Sequence, residues 1–125
     1  MAAWTSDELQ KVGTAEELQV MSLREDGTLS KPVTIWVTRV GNDVYVRSVR
    51  GLAGGWYQGT QVQHEGRIRA GGVEKEVSFV NETDPARIQQ VDAAYREKYH
   101  RYPPNIANSV LTPEARAATL KLAPR

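Results

Sequence analysis

Apolar and polar residues alternate along several short runs of the chain, a pattern that predicts half-buried β-strands. Residues 33–40 and 43–50 form the two central runs and are rich in β-branched and aromatic side chains. Gly41-Asn42 lies between them and predicts a two-residue hairpin turn, because both residues tolerate positive φ. Gly71-Gly72 predicts a second such turn. The other strand-like runs cover residues 17–24, 66–70, 73–80 and 118–122.

Two segments carry the signals that start and stop helices. Thr5 and Glu8 have the spacing of a capping box, so residues 3–12 are predicted to form a short helix that ends at Gly13. Asp84 as N-cap and Pro85 at the first helical position predict one long helix that runs to about residue 99. Side chains that recur at helical spacing predict its buried stripe, namely Ile88, Val91, Tyr95 and Tyr99.

The order of these elements predicts an α+β protein with a single domain over residues 1–125. Its sheet would contain about six short antiparallel strands, with one long helix near the C-terminus and a short N-terminal helix. A sheet of this kind closes most simply by curling into a small barrel, with the long helix covering an opening.

Charge and composition exclude several classes of function. A formal net charge of +1 provides no field that would attract nucleic acid or an anionic membrane. The absence of cysteine excludes disulfides, thiol catalysis and zinc–cysteine sites. The N-terminus has no signal-peptide pattern, and no apolar run approaches the roughly 20 residues of a transmembrane helix. We therefore expect a cytoplasmic protein that binds neither nucleic acid nor membrane.

Basic and small residues are concentrated at the end of the second central run. Arg47, Ser48, Arg50 and Gly51 supply two guanidinium groups, a hydroxyl and a flexible backbone, which suit a phosphate or a carboxylate. The glycines that follow match neither a Walker loop nor the dinucleotide fingerprint. The alternative is that these arginines lie on a solvated strand face.

Aromatic residues are numerous for one small domain. Trp36, Tyr45, Tyr95 and Tyr99 are candidates for a pocket that stacks on a planar ligand. The alternative is that the aromatic residues fill the core and a subunit interface.

No residue is assigned a catalytic role. His64 and His100 have no metal-ligand spacing, so no metal site is predicted. Asp92 is predicted to form an ion pair on the surface of the long helix.

The layout of the chain resembles the split β-barrel proteins that bind flavin or deazaflavin, especially deazaflavin-dependent nitroreductases. The similarity lies in residues 34–50, in Trp56-Tyr57, and in the hairpin around Gly71-Gly72. Over nearly all of its length the chain is also similar to a small bacterial family, domain-of-unknown-function family 2255. The positions that carry this second similarity include Asp26-Gly27 and residues 35–37, 45–48, 94–95, 98–99 and 119–122.

The resemblance implies a small antiparallel split β-barrel, commonly a homodimer with its ligand near the subunit interface. In the flavin relatives the loop after the third strand contacts the cofactor phosphate. The residues implied to bind the cofactor here are Arg47, Ser48, Arg50, Gly51, Trp56 and Tyr57.

The implied function is a flavin- or deazaflavin-binding oxidoreductase that acts on a small molecule, with FMN or a deazaflavin as cofactor. Gln58 and residues 63–66 depart from the pattern of the relatives, and the long helix is not a standard part of the nitroreductases. A cofactor-free split barrel that binds or converts a small organic ligand is an equal alternative. A third possibility is a structural or interaction domain, whose sign would be an exposed apolar patch without an enclosed pocket.

Overall fold

The computed structural model describes residues 3–125. Its strands are β1 (Leu18–Ser22), β2 (Val33–Ile35), β3 (Thr38–Val40), β4 (Asp43–Arg47), β5 (Glu65–Ala70), β6 (Val73–Asn81) and β7 (Thr119–Pro124). Its α-helices are α1 (Ser6–Thr14), α2 (Gly55–Gln63), α3 (Pro85–Lys98), α4 (Pro104–Ala107) and α5 (Pro113–Ala117). Short 3-10 turns cover Gly51–Ala53 and Asn108–Val110.

The seven strands form one curled antiparallel sheet in the order β2-β1-β5-β6-β7-β4-β3. Its two edge strands, β2 and β3, are consecutive in the chain, and only Trp36 and Val37 separate them. Because three peptide steps reach at most about 11 Å, the two edges must lie close together and the sheet must curl. The predicted α+β class with a curled antiparallel sheet is therefore confirmed.

The prediction of one continuous strand over residues 33–40 was wrong. The chain forms β2 against β1, leaves that edge at Trp36, and starts β3 against β4 at the opposite edge. The sheet therefore has seven strands where about six were predicted. A continuous strand-like run cannot reveal this division, because both halves have the composition of a strand.

Both predicted hairpin turns are present. Gly41 has a φ of +59° between β3 and β4, whereas Asn42 does not use the left-handed region. Gly71 and Gly72 have φ angles of +58° and +85° between β5 and β6. These positive angles explain why glycine occupies the turns.

The capping box of α1 is confirmed, but its end is not where the sequence predicts it. The Thr5 hydroxyl accepts from the Glu8 amide at 3.1 Å, and the Glu8 carboxylate accepts from the Thr5 amide at 2.9 Å. The helix continues through Gly13 to Thr14. A Cβ on Gly13 would lie 3.1 Å from Cδ of Arg39, so this glycine serves close packing instead of a turn.

Two hydrophobic clusters stabilise the fold. The first lies inside the curled sheet and is closed by α1. The second lies between the sheet and α3 and contains Tyr45, Val91, Tyr95, Tyr99 and Val110. The predicted N-cap of α3 is confirmed, since Asp84 accepts from the Ala86 amide at 3.1 Å. Because α3 packs on the second face of β4, both faces of that strand are buried.

None of the helices in residues 3–125 has the length and apolar character needed to cross a membrane.

Candidate functional site

A cleft of about 600 Å³ opens where the end of β4, the start of α2 and the segment around β2 meet. Its wall is mostly apolar and includes two indole rings. The lining residues are Glu17, Val33, Thr34, Ile35, Trp36, Arg47, Ser48, Val49, Arg50, Gly54, Gly55, Trp56, Ile106, Ser109 and Val110.

A compact turn after β4 brings polar groups to this cleft. The Ser48 amide donates to the Ala118 carbonyl at 3.2 Å, which fixes the turn to the residue directly before β7, the strand that pairs with β4. The Ser48 carbonyl accepts from the Gly51 amide at 2.9 Å, and the Gly51 carbonyl accepts from the Gly54 amide at 3.1 Å. Gly51 has a φ of +69°, a conformation that favours glycine.

The Ser48 hydroxyl is buried and has no hydrogen-bond partner in the described chain. A Cβ on Gly54 would lie 2.3 Å from this hydroxyl, so only glycine allows the backbone to approach it so closely. Buried hydroxyl groups are almost always hydrogen-bonded in native proteins. Ser48 is one of the residues that line the cleft, so its unpartnered hydroxyl marks this part of the wall as a candidate binding position.

Helix α2 begins at the same place without a cap. Its N-cap residue Gly54 has no side chain, and its first turn carries no acidic residue. The first amides of a helix have no partner within the helix, and they carry partial positive charge. Gly54, Gly55 and Trp56 also line the cleft, so this helix terminus provides donors suited to an anion.

Arg50 lies in the cleft wall and is exposed. Among residues 3–125 it takes part in none of the ion pairs, which include those of Arg67 and Arg69. Its guanidinium group is therefore available to a ligand.

Arg47 has a different role from the one expected. Its side chain has no exposed surface, although the residue contributes to the cleft wall. Its guanidinium donates to the Asp92 carboxylate at 2.5 Å and to three further acceptors, namely Thr119 Oγ1 at 2.9 Å, the Val110 carbonyl at 2.9 Å and the Ile88 carbonyl at 3.1 Å. Four hydrogen bonds engage most of its five N–H groups. Arg47 thus fastens α3 to β4, which corrects both its expected phosphate contact and the alternative of a solvated strand face.

The predicted surface ion pair of Asp92 was also wrong. Its carboxylate is 9% exposed and lies between Arg47 and Arg116, whose Nε is 3.1 Å away. The helical spacing of the sequence cannot show that β4 and α5 supply these partners from distant parts of the chain.

The aromatic candidates divide between the cleft and the cores. Trp36 and Trp56 line the cleft. Tyr57 is buried in the first hydrophobic cluster, and burial raises the pKa of its hydroxyl. It therefore faces away from the cleft that Trp56 borders.

Tyr45, Tyr95 and Tyr99 lie in the second cluster and do not line the cleft, which corrects the expectation that they form a ligand pocket with Trp36. Burial raises the pKa of all three hydroxyl groups. Their ring surfaces hold α3 on the sheet instead of contacting a ligand.

Sequence reasoning missed two features of the cleft. It did not identify Glu17, whose position in the wall depends on the curl of the sheet. It also did not predict from the residues themselves that Gly54 is the N-cap of a helix, although the two glycines directly before Trp56 were a usable signal. His64 occupies the C-cap of α2 with a φ of +57°, and the described residues contain no group of three metal-ligating side chains.

The chain was compared with protein families and with curated proteins. A bacterial protein family described as "Uncharacterized protein conserved in bacteria (DUF2255)" matches residues 8–122. Comparison with curated proteins gave no match.

Three solved structures share the fold at low sequence identity. A conserved hypothetical protein from Mycobacterium tuberculosis has a TM-score of 0.67 and 11% identity, over 98% of this chain and 81% of that one. An F420 reductase has a TM-score of 0.59 and 12% identity, over 94% of this chain and 92% of its own. A FAD-binding protein from Mesorhizobium loti has a TM-score of 0.53 and 12% identity, over 98% and 90% of the two chains. The predicted resemblance to split-barrel flavin and deazaflavin proteins is thus confirmed for the fold.

Proposed function

Because the chain belongs to the bacterial DUF2255 family and shares its fold with an F420 reductase and a FAD-binding protein, we propose that it is a flavin- or deazaflavin-binding oxidoreductase that acts on a small molecule. One observation carries the proposal. Ser48 lines a cleft bordered by two indole rings, and its buried hydroxyl lies without a partner in the described chain beside Gly54, at the uncapped N-terminus of α2.

The proposed phosphate position lies between Ser48, Arg50 and the first amides of α2. A phosphate there would give the Ser48 hydroxyl its missing acceptor and would neutralise the Arg50 guanidinium. The helix N-terminus adds backbone donors and favourable partial charge. All three contributions favour an anion, and none depends on Arg47, most of whose donors are already used.

The proposed ring position is the apolar part of the cleft. A volume of about 600 Å³ is within the usual range for small-molecule and cofactor sites. Trp36 and Trp56 offer aromatic surfaces to a planar ring. When bound, the cofactor would supply the hydride chemistry, and the protein would position it and exclude water.

A homodimer is part of the proposal. Val33, Val49 and Ile106 line the cleft and are 38%, 52% and 43% exposed. Exposed apolar side chains around one opening favour cover by a second subunit. Light scattering on the purified protein tests this, and a monomer at every concentration would contradict it.

The phosphate site can be tested by titrating the protein with FMN and with riboflavin, which lacks the phosphate. We expect Arg50→Ala to weaken FMN binding by about tenfold or more, because hydrogen bonds to charged groups contribute about 1.5–3 kcal/mol. Riboflavin binding should not change. Arg69→Ala is the matched control, since Arg69 forms an exposed ion pair with Glu74 and does not line the cleft.

An F420-type deazaflavin is titrated in parallel with the two flavins. Equal losses for FMN and riboflavin in Arg50→Ala would show that the phosphate lies elsewhere. Failure to bind all three ligands would refute the proposed function.

A further inference from the structure

A column of aromatic rings leads from the cleft to the protein surface. Trp36, in the cleft wall, stacks on Tyr99 with a centroid distance of 3.8 Å and an interplanar angle of 4°. Tyr102 lies beside both rings, at 5.1 Å from Trp36 and 6.0 Å from Tyr99. The three rings are therefore in contact from the cleft to a partly exposed tyrosine.

The two tyrosines differ in what accepts their hydroxyl protons. The Tyr99 hydroxyl donates hydrogen bonds to the backbone carbonyls of Glu16 and Val37, at 2.7 and 3.1 Å. Carbonyl oxygens accept hydrogen bonds but do not take up a proton near neutral pH. The Tyr102 hydroxyl instead donates to the carboxylate of Glu16, which Arg101 also binds.

We propose that Trp36, Tyr99 and Tyr102 form an electron-transfer relay that carries a one-electron oxidising equivalent from the cleft to Tyr102. A one-electron oxidant in the cleft, such as a photoexcited oxidised flavin, takes one electron from Trp36. Tyr102 then donates one electron to the oxidised Trp36, directly or through Tyr99. The O–H proton of Tyr102 moves to Glu16. The oxidant is reduced by one electron, Tyr102 becomes a neutral phenoxyl radical, and Glu16 becomes a carboxylic acid.

Geometry explains why the relay ends at Tyr102. Stacked rings in van der Waals contact couple electronically, and an oxidised phenol is a strong acid that is stabilised only when its proton can leave. Glu16 is the carboxylate at hydrogen-bond distance from Tyr102, whereas the Tyr99 hydroxyl has only carbonyl acceptors. Hydrogen bonds from Tyr102 and Arg101 hold the pKa of Glu16 below its usual range, so it is an ionised carboxylate. The hydrogen bond that Tyr102 already donates to it gives the proton a direct path.

The inference rests on the proposed function for a flavin in the cleft, whose photoexcited oxidised form is the oxidant, but its test does not require a bound cofactor. Replacing Trp4 and Trp56 by Phe leaves Trp36 as the only indole in the sequence. An excited ruthenium(II) polypyridyl complex transfers one electron to a sacrificial acceptor in solution, and the ruthenium(III) complex that forms takes one electron from Trp36. Time-resolved absorbance follows the indole and phenoxyl radicals, and electron paramagnetic resonance identifies the final radical.

We expect the indole radical to decay as the phenoxyl radical appears. Tyr102→Phe should abolish the main phenoxyl signal and prolong the indole radical, and Glu16→Gln should slow the transfer while leaving the rings in place. Tyr45→Phe is the matched control and should change neither, because Tyr45 lies outside the column and donates to Glu82. An indole-radical lifetime that is the same with and without Tyr102 would overturn the relay, whether or not flavin binds. Circular dichroism confirms that each variant is folded.

Discussion

Replacing Asp92 by alanine should destabilise the protein more than the loss of an ordinary ion pair. Arg47 has a fully buried side chain and would lose the only carboxylate that it contacts in the described chain. Its bonds to Thr119, Val110 and Ile88 would remain, but a buried guanidinium without a counter-charge is strongly unfavourable.

The expected loss is about 3–5 kcal/mol, the cost of breaking a buried ion pair by removing one partner. Arg116 also loses its ion pair with Asp92, and its Nε is buried, but its side chain as a whole is 41% exposed, so its charge stays partly solvated. A domain of this size has a free energy of unfolding of about 5–15 kcal/mol, so the variant would be marginal. At about 4 °C per kcal/mol, the Tm should fall by roughly 12–20 °C.

Urea unfolding followed by circular dichroism measures this free energy. Glu74→Ala is the matched control, because it removes a carboxylate from an arginine in an ion pair whose side chains are both 51% exposed. Its cost should be below about 1 kcal/mol. The double variant Arg47→Met with Asp92→Leu should recover most of the loss, since hydrophobic replacement of a buried pair is often neutral or stabilising. If Asp92→Ala costs no more than Glu74→Ala, the assignment of this ion pair as the attachment of α3 to β4 is refuted.

Two further predictions concern packing and charge. Gly54→Ala should cost about 1–3 kcal/mol, because the new methyl group would collide with the Ser48 hydroxyl. Gly55→Ala meets no atom within 4 Å and should be neutral or stabilising in the same urea assay; equal effects would contradict the packing argument. Burial lowers the pKa of Lys98 from 10.5 to about 8, so the unfolded chain binds more protons than the folded chain between these values. The contribution of Lys98 to stability should therefore rise with pH over that window, so the stability difference between the natural protein and Lys98→Met should change in favour of the natural protein; parallel curves for the two proteins would disprove it.

Local signals in the sequence predicted much of the fold. The caps at Thr5 and Asp84 and the glycine turns at residues 41 and 71–72 depend on hydrogen bonds or φ angles within a few residues, so their chemistry is visible in the sequence. The division of residues 33–40 between two sheet edges was not visible, because it depends on how the whole sheet curls.

The candidate site was predicted in part for the same reason. Ser48, Arg50 and Trp56 line the cleft, and all three follow β4 closely in the chain. Arg47 was misjudged because its partner Asp92 lies 45 residues away, on a helix whose packing against β4 the strand pattern does not reveal. The tyrosines were misjudged because a buried aromatic core and an aromatic pocket have the same composition.

The most direct test of the proposed function is the visible absorption spectrum of freshly purified protein, with mass spectrometry of any small molecule that denaturation releases. The proposal predicts the absorption of a flavin or deazaflavin, either as isolated or after the cofactor is added and unbound cofactor is removed. A colourless protein that retains neither FMN, FAD nor an F420-type deazaflavin would contradict it. The Ser48 hydroxyl and the N-terminus of α2 would then require a different anionic ligand.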